Sequence, residues 1–561
     1  MADETITART VADRHLDHVA AHDPLKAARL GLHPGDDRQP DLSPEGFEAL
    51  ADIARHTLTA LDAAEAHGTP EDPADRNCAS LLRDRLTAEL ALHDTGENFR
   101  RLRNIGAHVH HVRDIFTLMP TATDDDWAAV AGRLRNLPAA LDGYRATLTE
   151  GISRGLLAAP RQAVAVTGQL TAWTGEDTGG AGWFADFTAP GPERLRGELD
   201  TAARQATTAV AGFRDWLRDT YTPATVGTPD AVGRERYRIA VRHSTGADPD
   251  LAEAYGWAWS EFHRTAAEMR TEAERVRPGA GVQGAMHHLA RNGHTIEGEE
   301  AIRDWLQQLM DRAIIALDGT HFDISGPLRR VESRIAPPGT AAAPYYDGPD
   351  LDFSRPGRTY LPTLGRTAFP TWQLVSTWYH EGVPGHHLQL AQWVALADRL
   401  SRYQTTLGTV GANIEGWALY AERLMDDLGF LTDPAHRLGF LDVGMLRTVR
   451  VIIDTGMHLG LAIPADAGFH PGERWTPELA TEFLATYTGA PPALRDSEIV
   501  RYLGWPGQAI GYKLGERVWL QGREAARRRR GAAFDLRTWH MKALAQGSLG
   551  LDDLAEQLAT L

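Results

Sequence analysis

Cysteine is nearly missing from this 561-residue chain: Cys78 is the single one. An intrachain disulfide is therefore impossible, and thiolate-held zinc or iron–sulfur clusters are excluded with it. Long apolar runs are missing too. No stretch of about 18 consecutive apolar residues occurs, so no membrane-spanning helix is expected. Positive charge is in deficit. Against 75 Asp and Glu stand 58 Lys and Arg, a net charge of −17, the wrong sign for a general nucleic-acid footprint. The start, Met1-Ala2-Asp3-Glu4-Thr5-Ile6, lacks the basic residues and apolar run of a secretory signal. These absences predict a soluble, cytoplasmic protein with neither a nucleic-acid nor a membrane partner.

What is present is mostly helical patterning. Leu42-Ser43-Pro44-Glu45 starts a helix, with Ser43 as cap and Pro44 in the first turn. Leu50, Ile53, Ala54, Leu58 and Leu61 follow at helical spacing. Helices are also expected at about 76–93, around Ala252 to Val276, across 447–458, and from Phe534 to Leu558. His108, His110 and His111 could bind a metal, but no paired carboxylate lies nearby, and a loop or short strand is the simpler reading. Gly179-Gly180-Ala181-Gly182 is a turn, since no strand and no Lys-Ser/Thr frame it as a phosphate loop. Arg527 to Arg530 reads as an exposed helix end. Around 336–366 Pro, Gly and aromatics accumulate, and Arg358-Thr359-Tyr360-Leu361 is a candidate strand. No repeat or linker marks a boundary. One mainly α domain over residues 1–561 is expected, with a small β element and a metal-site half at about 340–520.

Chemistry concentrates in His380-Glu381-Gly382-Val383-Pro384-Gly385-His386-His387. Thr371 to Tyr379 before it has apolar residues at helical spacing, so His380 and Glu381 should sit late on a half-buried helix. The usual zinc helix is His-Glu-x-x-His, with the Glu as general base. Here the fourth position after His380 is Pro384, which has no ligand atom. On a straight helix His386 and His387 would lie roughly 9–10 Å along the axis from His380, too far to share one zinc. Pro384 and Gly385 must therefore deform the helix and bring one of them back.

A third ligand is sought in Asn413-Ile414-Glu415-Gly416-Trp417-Ala418-Leu419-Tyr420-Ala421-Glu422. Its apolar positions predict a buried helix, and a buried carboxylate needs a partner or a metal. Glu415 is the candidate ligand. Glu422, two turns on, could orient a ligating His, although Arg423, Asp426 and Asp427 beside it suit a solvated face. Asp454 and His458 stand four apart on one helix and can touch. In Arg501 to Gly515, Tyr512 could donate to an oxyanion, and Arg501 or Lys513 could hold a substrate carboxylate.

Together these segments resemble the bacterial "domain of unknown function 885" family, placed among zincin-like peptidases. The resemblance rests on Tyr345-Tyr346, Ser354-Arg355-Pro356-Gly357, the His380 to His387 motif, Glu415 to Glu422, Asp454 to His458, and Pro506 to Lys513. It spans most of the chain. It implies a large helical, zincin-like metallopeptidase fold, and Tyr346 as a substrate contact. The motif is also similar to the lengthened His-Glu-x-x-x-Gly-His motifs of the dipeptidyl peptidase III family. By that analogy His386 is the second ligand and His387 lies behind it.

The reading that follows is a Zn2+-dependent hydrolase acting on short peptides or related amides. His380, His386 and Glu415 bind the metal, Glu381 is the base, and Tyr512, with His458, stabilises the intermediate. Two alternatives share the residues: a non-haem iron enzyme, since two His and one carboxylate also bind iron, and a non-catalytic helical binding protein.

Overall fold

A computed structural model of the chain describes residues 6–66, 72–337 and 343–561. The N-terminal stretch Met1 to Thr5 lies outside them. The described residues fall into two compact units. The first draws on Met1–Gly68, Leu86–Ile239 and Asp496–Pro506; the second draws on Thr69–Arg85, Ala240–Arg495 and Gly507–Leu561. Each unit takes up separate stretches of chain, so no linear boundary exists for a linker to mark, and the sequence reads as one domain.

The first unit is all helix. Its main members are Ala8–His22, Pro44–Glu65, Asp124–Arg154, Pro160–Thr174 and Arg196–Trp216. The Pro44–Glu65 helix starts as its sequence requires: Ser43 Oγ accepts from Gly46 N–H, with Pro44 in the first turn. Leu134, Leu141, Leu148, Leu170 and Phe213 form the centre of its core. His108 to Asp114 is a helix here, not a loop or strand. The alternation seen in the sequence is two turns whose buried face takes His108, Val109 and Val112.

The second unit holds the β element. Val331–Ile335 pairs in parallel with Gly357–Leu361, which pairs antiparallel with Tyr345–Asp347. The expected strand at Arg358 to Leu361 is thus the centre of the sheet. Around it stand the helices Glu299–Leu317, Leu374–Glu381, His386–Ala395, Gly411–Asp427, Pro434–Leu459 and Gly511–Arg530. Trp378, Trp417, Tyr420, Trp519 and Trp539 are fully buried among them. Trp378 Nε1 donates to Ser333 Oγ at 2.9 Å, tying the His380 helix to the sheet. Arg527 to Arg530 end the Gly511–Arg530 helix, exposed as expected. Among the described residues no helix is long and apolar enough to cross a membrane.

One helix pairing in this unit depends on missing side chains. A Cβ on Gly515 would overlap Ala412 O, and one on Gly416 would overlap the Gly515 backbone. The Gly411–Asp427 and Gly511–Arg530 helices touch backbone to backbone there, which is what carries Glu415 against its neighbours. Gly515→Val should therefore cost at least about 1–3 kcal/mol and lower the melting temperature in calorimetry. Gly444→Ala is the contrast. Its Cβ would meet open space on the Pro434–Leu459 helix, so it should be neutral or stabilise by up to about 1 kcal/mol.

Candidate metal centre

The helix carrying His380 stops at Glu381, and a new helix starts at His386. The four residues between form a tight turn containing a cis Val383–Pro384 bond. Gly382 and Gly385 have ψ of −118° and −129°, outside the regions open to side-chain-bearing residues. A Cβ on Gly385 would overlap His380 O, and one on Gly382 would overlap Met310 Sδ. Gly385 N–H donates to Tyr379 O at 3.0 Å and His387 N–H to Gly382 O at 3.1 Å. Trp417 Nε1 closes the turn from the neighbouring helix, facing Pro384 O at 2.9 Å and Gly385 O at 3.1 Å. This turn brings the His380 and His386 rings to a centroid distance of 4.7 Å at 80°.

Glu415 Oε2 lies 3.3 Å from His380 Nε2 and 3.8 Å from His386 Nε2. Ligands about 2.0–2.1 Å from a tetrahedral zinc stand about 3.3–3.4 Å apart, so these separations fit one ion between the three atoms. Glu415 Oε2 is a buried oxygen with no hydrogen-bond partner among the described residues, as expected where a metal completes the set. His380, Glu381 and His386 each bring a ligand-type atom within 4.8 Å of the others. Among the described residues this is the one such His/Asp/Glu group.

His387 is not part of it. Its Nε2 faces Leu328 O at 2.9 Å, so Nε2 carries the proton and Nδ1 accepts from the Tyr346 hydroxyl at 3.0 Å. Both nitrogens are used, and Tyr346, expected at the substrate, has its hydroxyl committed to this buried pair. Gly357 leaves room for them, since a Cβ there would overlap Tyr346 Oη.

Behind this cluster, His380 Nδ1 meets Glu422 Oε1 at 2.8 Å. Glu422 also accepts from Ser376 Oγ, and Arg447 Nη2 lies 3.9 Å away. The charges flanking Glu422 suggested a solvated face, but it is 1% exposed. Those neighbours turn elsewhere: Asp426 pairs with Arg437 at 3.0 Å and Arg423 with Glu516 at 3.8 Å. Glu415 is the more open of the two glutamates, its side chain 25% exposed.

The electrostatics favour a bound cation. Burial works against charge on His380, but the Glu415 and Glu422 carboxylates outweigh it and raise its pKa to about 9. Burial would raise Glu415 too, yet His380 and His386 hold it down at about 2. His386 is driven down to about 4 by burial and by His380, leaving a neutral imidazole with a lone pair to give. Glu381 is pushed up to about 8, by burial first and then by Glu415, against the pull of His380. A base raised in this way takes up a proton more readily than an ordinary carboxylate.

The remaining candidates are placed differently. The Lys513 ammonium is bound to Glu516 and lies 3.7 Å from Glu261, so its charge is spent inside the unit rather than on a substrate. Arg501 belongs to the first unit and pairs with Glu498 at 2.9 Å. His458 faces Asp454 at 3.8 Å, eleven residues beyond Arg447 on the Pro434–Leu459 helix, about 16 Å along its axis. Tyr512 lies against the Arg450 guanidinium, 4.9 Å from ring centre to Cζ, one turn from Arg447. Sequence reasoning passed over Ser376 and Arg447. Arg447 had a visible signal, a charge within two residues of the apolar Met445, Leu446 and Val449.

A family profile described as "Bacterial protein of unknown function (DUF885)" matches residues 24–558. The solved structure of a candidate lipoprotein from Colwellia psychrerythraea superposes with a TM-score of 0.82 at 21% identity, covering 99% of this chain and 99% of that one. Another, a candidate lipoprotein of unknown function from Shewanella oneidensis, gives 0.74 at 16% identity, covering 98% of this chain and 99% of its own. At such identities the likeness shows a shared fold. A carboxypeptidase from Pyrococcus furiosus reaches a TM-score of 0.39 at 11% identity, over 100% of this chain and 95% of its own, and carries no argument. No curated protein matches the sequence.

Glu422→Gln removes the charge behind His380 while keeping its shape. Metal affinity should fall by about 10–100-fold, read by competition with a chromophoric chelator. Unchanged affinity would show that Glu422 does not orient a ligand.

Proposed function

This chain belongs to the DUF885 family, bacterial proteins of unknown function, and we propose that it is a zinc-dependent, zincin-like hydrolase acting on short peptides or related amides. The observation that supports this most is one carboxylate oxygen, Glu415 Oε2, facing two imidazole nitrogens at 3.3 and 3.8 Å, with buried Glu381 beside them. His380, His386 and Glu415 would hold the ion. Zinc so held supplies Lewis acidity to a carbonyl and acidifies a water molecule.

The chain's own part is to position and to move protons. Glu422 and Ser376 fix the His380 ring with Nδ1 turned away from the ligand face. Glu381, kept ionised once a cation stands beside it, would accept the proton of the attacking water and return it to the leaving amine. Tyr512, whose ring lies against Arg450 one turn from Arg447, is the candidate to donate to the tetrahedral oxyanion. Recognition of a peptide carboxylate by Lys513 is not part of the proposal, because Glu516 and Glu261 already neutralise it.

A non-haem iron site would use the same ligands, but a Glu directly after the first His has a ready role only in hydrolysis. Elemental analysis of protein purified without chelator should find about one zinc per chain, lost in His380→Ala. Glu381→Gln should keep the zinc and lower hydrolysis of a peptide library by about 10²–10⁴-fold. Iron in place of zinc, or full activity in Glu381→Gln, would overturn the reading.

A further inference from the structure

The three imidazoles of His108-Val109-His110-His111 have no part in the metal centre. They open a short helix of the first unit. His110 is accounted for: Nδ1 accepts from Ala107 N–H at 2.9 Å, and Nε2 meets Gln169 Oε1 at 3.0 Å. His108 and His111 are not. Their rings stand 5.5 Å apart at 81°. His108 is 5% exposed, and its Nε2 has no partner among the described residues. A buried, unpaired ring nitrogen costs about 1–3 kcal/mol and calls for an explanation.

Arg101 stands with them. The Tyr144 hydroxyl donates to Arg101 O at 2.6 Å, and the Tyr144 ring lies 5.7 Å from the His108 ring, so one tyrosine holds both residues. Phe47 closes the other side of His108 at 4.5 Å. Among the described residues nothing accepts a hydrogen bond from the Arg101 guanidinium, and no carboxylate pairs with it. Two acids lie within reach of its charge: Glu97 is taken by Arg236 at 2.5 and 2.9 Å and by Arg100 at 3.1 Å, and the exposed Glu89 forms no ion pair with it. Arg103 is likewise used, donating to Gly106 O and stacked on Trp505. Arg101 and His111 are partly exposed, while His108 is buried behind them.

The sign of the missing partner follows from this chemistry. A guanidinium beside two imidazoles repels a cation, and neither nearby acid, Glu97 or Glu89, pairs with Arg101. Burial first, and the Arg101 charge second, depress both imidazoles, His111 to about 3. At neutral pH they are uncharged, and each offers one N–H. A guanidinium fork and two N–H donors suit an oxyanion.

We propose that the first unit carries an oxyanion-binding pocket in which Arg101, His108 and His111 receive the carboxylate or phosphate group of a small ligand. This stands apart from the hydrolase reading, because it uses none of the metal-centre residues.

The test is calorimetric titration of the metal-loaded protein with inorganic phosphate and, separately, with succinate. One anion per chain is expected, and the tighter of the two identifies the class. Binding should persist in His380→Ala, which separates it from anion capture at the metal. It should weaken at least about tenfold in Arg101→Met and in His111→Phe. Arg101→Met should also lose the anion-dependent rise in melting temperature while melting no lower than wild type without anion, since it removes an uncompensated charge. Should Arg101→Met fail to fold, His111→Phe carries the same comparison. No binding of either anion to wild type, binding untouched by both substitutions, or binding lost in His380→Ala would each overturn the proposal.

Discussion

The second unit depends on the burial of two carboxylates against one imidazole. Charged groups leave water at a cost that the interior must offset with partners. His380 lies between Glu415 at 3.3 Å and Glu422 at 2.8 Å and is the common partner of both. Glu422 draws in Ser376 and Arg447 in turn. Glu415 is left with an oxygen directed at two imidazoles and no hydrogen bond. That unsatisfied carboxylate oxygen facing two imidazoles, with the Glu381 carboxyl beside them, is what makes a divalent cation a fitting occupant.

That arrangement needs backbones closer than side chains allow. Gly382 and Gly385 fold the chain back within four residues, and Gly416 and Gly515 let two helices touch. Trp417, one residue from Gly416 and two from Glu415, reaches across to the carbonyls of Pro384 and Gly385. The helix that delivers Glu415 therefore also clamps the turn that delivers His386. The two are coupled by packing, not by nearness in sequence.

Lys513 and Arg501, read in the sequence as substrate-binding, are each taken by a carboxylate within their own unit. Lys513, Glu516, Glu261 and Arg423 form a chain of charges, and Arg437 joins Glu268, Glu272 and Asp426 in another. Breaking a buried pair strands its partner, so these residues hold helices in place. The Arg101 pocket is the opposite case, a guanidinium in the first unit with which neither nearby acid pairs.

The sequence by itself determined the helical character, the strand at Arg358 to Leu361, the position of the metal motif and the need for a bend at Pro384-Gly385. Each is a local matter of periodicity, propensity or helix geometry over a few residues. It also singled out Glu415 and offered the orienting role for Glu422, because a carboxylate in an apolar helix must have a partner. Only the tertiary structure decided that His386 and not His387 joins the cluster. That choice rests on Leu328 and Tyr346, 59 and 41 residues distant, which use up both nitrogens of His387. It likewise decided that Glu422 is buried and Lys513 neutralised, since both outcomes depend on helices that meet only in the folded chain. The division into two units was hidden for the same reason: each is assembled from segments far apart along the chain.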